Sequence, residues 1–377
     1  MALVTGSRLA MGALLSVWGL LALPGCGSED AAGGSGGTAG TGGGATGGAA
    51  GVGTGGGSAI ECDEPASLAL SGLWAAKARL TVSLTAQPGG TVTLCPAEQR
   101  QEATLFLYLE VHQDPSDPSK LDAVTPHVCS VELPTVEGGV GSCSNTTVKM
   151  ELPVPKALLD AMPKIALAPV TASLSGAAPG ATLSTEKVLF VAGSSKPAPE
   201  LPTWNASSGS CGSTTVGRTN QCEVACVSDC STLRDDDGDG FPGITLHVCG
   251  RTQQDITDNV PCNNDDPSEA GTTIQGRAWL DLQIDPSLEG TVKSSCEMAG
   301  TVDASILYNV VGADVTVSNG VISVSEAIRS LPTFHVEKSE SPYRMLRVDG
   351  QYGAPDWSLG ADPSAACAAV LQHQNDF

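Results

Sequence analysis

The chain of 377 residues carries 41 acidic against 19 basic residues, a formal net charge of -22, with 13 cysteines and aromatic residues at only 4%. A surface this acidic excludes nucleic acid or anionic lipid as a charge-driven partner and suits a protein that recruits cations. Once the low-complexity N-terminus is set aside, about 315 residues remain, ample for two moderate cores or one large one.

Residues 1–25 read as a secretory signal: Arg8 is the only charge ahead of the apolar run from Leu9 to Leu23, which is too short for a lasting membrane span. Leu23-Pro24-Gly25-Cys26 resembles the lipobox of bacterial lipoproteins. The resemblance implies cleavage between Gly25 and Cys26, diacylglyceryl and acyl (palmitate-type) chains on Cys26, and a membrane partner engaged through that lipid. The expected location is the bacterial cell envelope, at the outer membrane, on its periplasmic or surface side. Loss of Arg8 leaves 18 basic against 41 acidic residues, or -23. Ala31 to Ser58 is almost entirely Gly, Ala, Thr and Ser. Nothing there repays the entropy of ordering, so residues 26–58 form a lipidated flexible linker reaching on the order of 30 Å.

Without Cys26, twelve cysteines remain, and an even number in an exported chain predicts six disulfides. Cys249 and Cys262 flank a segment short enough for one bridge to close. A thiolate zinc site at Cys222, Cys226 and Cys230 is disfavoured, because that spacing is not the usual CxxC knuckle and the five histidines are scattered.

The first β region, 59–203, opens with Arg79 to Thr85, apolar at every second place. Thr104 to Val111 sets Leu105, Leu107, Leu109 and Val111 on one face with Phe106 and Tyr108 opposite, so both faces are expected to be covered. Lys156 to Met162, between Pro155 and Pro163, allows at most two helical turns, and Lys187 to Ala192 predicts a short strand. In the second β region, 273–377, Ala278, Leu280, Leu282 and Ile284 alternate with polar positions and Thr301 to Asn309 continues the pattern. Asn319-Gly320 between β-branched runs predicts a tight primed turn and a hairpin, and Ser325 to Leu331 a brief helix with Glu326 near its start. Both regions share Gly-led strands (Gly72, Gly276), a Gly-Thr-Val step (Gly90, Gly290) and a following cysteine (Cys95, Cys296), the trace of a possible duplication. The fold expected is mainly β, with two β-sandwich or barrel-like lobes flanking a disulfide-rich calcium-binding segment at 204–272.

That segment holds the nameable chemistry. In Asp235-Asp236-Asp237-Gly238-Asp239-Gly240-Phe241-Pro242-Gly243 the carboxylates of Asp235, Asp237 and Asp239 fall at positions 1, 3 and 5, a glycine at 6 and the Phe241 carbonyl at 7. These are the positions from which an EF-hand-like loop offers oxygens to Ca²⁺. The full EF-hand is absent: position 9 is Gly243, position 12 is Leu246, and Pro242 obstructs an exiting helix. Cys262-Asn263-Asn264-Asp265-Asp266-Pro267 is the obvious donor of the missing oxygens. Together the two stretches resemble the metal-binding repeat (DxDGDGxG followed by DCNDxDP) of bacterial, myxobacterial-type surface lipoproteins, and are similar to thrombospondin type 3 calcium repeats. The match covers Asp235 to Gly271, with Asn263 and Asp266 at the repeat's acid-amide cluster and Asp265 as an added carboxylate. It implies one Ca²⁺, closed by one or more of Asn263, Asp265 and Asp266, in a structural role.

Signatures of catalysis are missing: no G-x-S-x-G, no HExxH and no nucleotide-binding glycine loop. Pairs such as Asp281 with Asp285, or Glu337 with Glu340, imitate a glycosidase dyad, but 41 carboxylates produce such pairs by chance. The preferred reading is a lipid-anchored, calcium-stabilised envelope protein with a structural or binding role, whose partner is an extracellular polysaccharide or another envelope protein. The alternatives are a hydrolase of extracellular polymer and a β-barrel carrier of a small apolar ligand.

Overall fold

A computed structural model describes residues 61–144, 146–165, 167–205, 230–262, 272–318, 320–360 and 362–377. Gly25, Cys26, Asn263, Asp265 and Asp266 lie outside them. The strands are β1 (Gly72–Thr85), β2 (Val92–Leu94), β3 (Glu98–Gln113), β4 (Lys120–Glu132), β5 (Val136–Val140), β6 (Thr146–Glu151), β7 (Val170–Leu174), β8 (Thr182–Thr185), β9 (Phe190–Ala192), β10 (Ile244–Arg251), β11 (Ile274–Ser294), β12 (Glu297–Val317), β13 (Gly320–Val321), β14 (Thr333–Val336) and β15 (Pro342–Arg347). Between them sit short helices, α1 (Lys156–Ala161), α2 (Gln253–Thr257) and α3 (Val324–Ser330), and α4 (Pro363–Gln372) follows the last strand.

All fifteen strands belong to one hydrogen-bonded sheet, ordered β13-β12-β15-β1-β3-β4-β7-β8-β11-β10-β6-β5-β2, with β14 and β9 branching from β1 and β11. Because β11 also pairs with β12 along Ile274 to Ser294, the path from β12 through β15, β1, β3, β4, β7 and β8 to β11 closes on itself. The strands of the two expected β regions, 59–203 and 273–377, interleave in this one sheet. β1 from the first half lies between β3 and β15, and β8 and β9 from the first half pair with β11.

Two main apolar cores exist, and each takes residues from both halves of the chain. One gathers Trp74, Leu109, Leu121, Leu174, Leu183, Val292, Met298 and Met345, one from each of the eight strands of the closed path. The other gathers Val82, Leu84, Val92, Val148, Leu158, Ile244, Leu280, Val315 and Ala327. The physical reason is strand length. β11 and β12 run 21 residues each and β1 and β3 run 14 and 16, roughly 45 to 70 Å at 3.3 Å per residue, so single strands serve both cores.

Local readings hold where periodicity was clear. On β3, Leu109 and Val111 enter the first core with Leu105 and Leu107 packed against it, while Phe106 and Tyr108 face a third cluster with Trp357, Cys367 and Val370. That cluster lies under α4, whose Asp362 side chain caps the helix through Ala365 N–H and whose Cys367 is bonded to Cys129 on β4. Helix α1 ends at Ala161, before Pro163, and α3 starts with a capping box in which Ser323 and Glu326 exchange side-chain and backbone hydrogen bonds.

The hairpin forms one residue off the expected register. Val317 pairs with Gly320 and Thr316 with Val321, and Ser318 takes φ +49°. Gly320 is therefore a paired strand position. The internal similarity holds only at its first element: Gly72 and Gly276 share φ +147° and +144° and pair with Val111 and Val315. Gly90 precedes β2, whereas Gly290 lies within β11. Four disulfides are described: Cys62–Cys296, Cys95–Cys143, Cys129–Cys367 and Cys249–Cys262.

Candidate metal centre

The acidic loop leaves the irregular chain at Arg234 and feeds directly into β10. Its two ends are pinned: Gly243 N–H donates to Arg234 O at 2.8 Å, and Asp235 and Gly243 form an isolated bridge. Gly243 has φ +85°, and a Cβ there would sit 2.5 Å from the carbonyl oxygen of Leu280, so the loop docks on β11 only with glycine at this point.

Inside the loop the aspartates divide by role. Asp235 is spent on curvature: Oδ1 accepts from the N–H groups of Gly238 and Asp239 at 2.7 and 3.1 Å, and Oδ2 from Gly240 at 2.9 Å. Asp239 accepts from Phe241 N–H at 2.8 Å and from the Thr245 hydroxyl at 2.6 Å. Asp237 accepts from Thr245 N–H at 2.8 Å through Oδ2. Asp236 points elsewhere, accepting from Gly193 N–H at 2.7 Å and pairing with Arg234 at 3.1 Å, which ties the loop to the end of β9.

Asp235, Asp237 and Asp239 each present an oxygen, and the three lie within 4.8 Å of one another. Asp237 is 6% exposed, and its Oδ1 is buried without a hydrogen-bond partner. Burial pushes its carboxyl up to about 7; the Thr245 N–H opposes that, and the neighbouring charges of Asp239 and Asp235 add to it. A buried carboxylate oxygen with no donor, set among two more acids, is a costly arrangement for the protein alone. A hard divalent cation coordinated by oxygen removes the cost, so the donor set fits the ion. The structure therefore brings together the three predicted carboxylates at positions 1, 3 and 5.

Phe241 closes the loop over an apolar support. Its ring stacks on Trp279 with centroids 5.3 Å apart, beside Val311 and Leu233, and the Arg277 guanidinium lies 4.7 Å from its centroid. Asn263, Asp265 and Asp266 fall outside the described residues, but Cys262 immediately before them is bonded to Cys249 on β10.

Sequence reasoning missed Thr245 and the full burial of Asp281. Thr245, at loop position 11 and 2% exposed, serves two of the aspartates at once. Its signal was a hydroxyl where the strand leaving the loop begins. The two acidic pairs differ in their surroundings. Asp281 is fully buried, whereas Asp285 accepts from Gln283 and Ser305. Four residues apart on one strand, their Cα atoms are roughly 13 Å apart. Glu337 and Glu340 both pair with Arg100.

Comparison with protein-family models, with curated proteins and with solved structures finds no match. The residues alone thus establish a disulfide-bonded, mainly β domain with an aspartate cluster able to chelate a divalent ion.

Proposed function

We propose that the chain is a calcium-stabilised β protein of the bacterial envelope, tethered through lipid on Cys26 and serving a structural or binding role. The observation that carries the calcium reading is the buried, unpartnered Oδ1 of Asp237 beside Asp235 and Asp239. Oxygen donors alone favour Ca²⁺ over zinc or copper. The Phe241 carbonyl and one or more of Asn263, Asp265 and Asp266 supply further protein oxygens to the shell. A structural role follows from position: the loop joins β10 to β9 and rests on β11, and the ion neutralises charges that otherwise repel within it.

A carrier role has less support, since Trp74, Leu109, Leu121, Met298 and Met345, from five strands of the closed path, are buried in one packed apolar cluster. A hydrolase has less support because Glu337 and Glu340 are both engaged in ion pairs with Arg100, and Asp281 and Asp285 lie four residues apart along one strand.

Calorimetric titration with Ca²⁺, paired with melting in calcium and in chelator, tests the reading. Wild type should bind one ion and melt lower in chelator, while Asp237→Asn should lose both effects and keep its β signal. Absence of binding heat together with a chelator-insensitive melt would leave the aspartates as a solvated loop. Anchoring is tested separately: Cys26→Ser should move the protein from the detergent to the aqueous phase, and wild type without acyl mass would refute the lipid.

A further inference from the structure

We propose that the calcium loop forms one wall of a cleft that binds a short acidic glycan, a uronate-bearing oligosaccharide, through the ion. This rests on the calcium reading above. The cleft encloses about 970 Å³, of the size that takes a small oligomer. Ala157, Asp160, Ala161 and Lys164, from α1 and the turn after it, line it together with the stretch Arg234 to Gly238.

Asp235 and Asp237 belong to both the cation cluster and the cleft lining, so an ion held there borders the cleft. The loop supplies three carboxylates and one carbonyl, and one oxygen from Asn263, Asp265 or Asp266 makes about five, whereas Ca²⁺ takes six to eight. That leaves room for oxygens from a ligand. The charge around the cleft is already partly assigned: Asp160 pairs with Lys156, and Asp236 with Arg234. Lys164 is exposed and makes no ion pair among the described residues. The ion and Lys164 thus offer two positive points to a polyanion. Leu189, 51% exposed and also lining the cleft, gives an apolar surface for the C–H face of a sugar ring.

An acidic peptide added as a strand fits less well. β9 already pairs with β11 through Phe190 to Ala192, and the Val191 carbonyl accepts from Arg234 at 3.1 Å, so that edge is in use. A uronate brings carboxylate and hydroxyl oxygens together, which suits a hard cation.

The test uses the full mature protein in detergent. Calcium is titrated alone, followed by a galacturonic acid pentamer in calcium and in chelator, with a neutral maltopentaose and a poly-glutamate peptide as further arms. The pentamer should bind in calcium and fail in chelator, and maltopentaose should not bind. Lys164→Ala should weaken the pentamer about tenfold and leave calcium affinity within about twofold, the effect of losing one charged hydrogen bond. If calcium itself does not bind, the reading of the loop fails and this inference with it. If calcium binds but the pentamer does not, or binds equally in chelator, or no better than poly-glutamate, or unaffected by Lys164→Ala, the cleft assignment is overturned while the calcium site stands.

Discussion

Replacing Asp281 with Asn should stabilise the protein near neutral pH and have little effect in acid. Asp281 sits mid-strand on β11 opposite Asn309, 0% exposed, and pairs with no cation among the described residues. Burial raises its carboxyl from 3.8 to about 7, and Asn309 offsets only part of the effect. Below about pH 4 the acid is neutral in both states, and its contribution to stability is fully present. As pH rises toward 7 the unfolded chain releases the proton freely while the native state holds it, so native stability falls, and above 7 the loss is complete. A difference of roughly 3 units at 1.36 kcal/mol each gives about 4 kcal/mol. An amide of the same shape does not ionise, so the variant should gain about 4 kcal/mol at pH 8 and about none at pH 4. With an unfolding entropy near 2.1 cal/mol/K per residue over some 320 residues, that corresponds to roughly 6 °C in Tm. Melts of both proteins from pH 4 to 8 at constant calcium and salt decide it. A Tm difference that is flat across this range, or an Asn variant less stable at pH 8, would refute the account of Asp281 as a strained buried acid.

Further perturbations separate the loop, the core and the crosslinks. Thr245→Val removes the hydroxyl that holds Asp239, leaves the N–H to Asp237, and should reduce calcium-dependent stabilisation by about 1 kcal/mol, read as a smaller Tm gain on adding calcium. Arg347 is fully buried and donates to Asp349, to the carbonyls of Ala69, Ser71 and Ser295, and to Gln351. Arg347→Met should therefore cost about 3–5 kcal/mol in urea unfolding, because it leaves Asp349 without its counter-charge and three carbonyls without their donor; a loss below about 1 kcal/mol would show the pair to be dispensable. Cys129–Cys367 closes a separation of 238 residues, and replacing both cysteines with serine should cost about 5 kcal/mol and loosen α4, seen as a change in Trp357 fluorescence. Gly276→Ala places a Cβ 2.1 Å from the Asp314 carbonyl oxygen at φ +144° and should destabilise by about 1–3 kcal/mol.

What was legible in the sequence was local. The alternation of Leu105 to Val111 with Phe106 and Tyr108, the short helix between Pro155 and Pro163, the helix capped by Ser323 and Glu326, and the 1, 3, 5 spacing of Asp235, Asp237 and Asp239 each depend on neighbours within a few residues. The closure of Cys249 with Cys262 was legible for the same reason, a loop separation of 13 residues. Backbone geometry and short-range hydrogen bonding decide such features wherever the segment is later placed. Tertiary structure alone decided how the halves combine. A period-two pattern says that a strand has two faces but not which strand lies at its edge, so nothing local announced that β1 would pair with β15, some 270 residues on. Nor did a pattern of apolar positions reveal that Asp281, flanked by Leu280 and Leu282, would be sealed from water, or that Asp237 and not Asp236 would turn its carboxylate inward. Burial depends on what covers a residue, and here the covers, the 193–204 segment and the acidic loop itself, come from elsewhere in the chain.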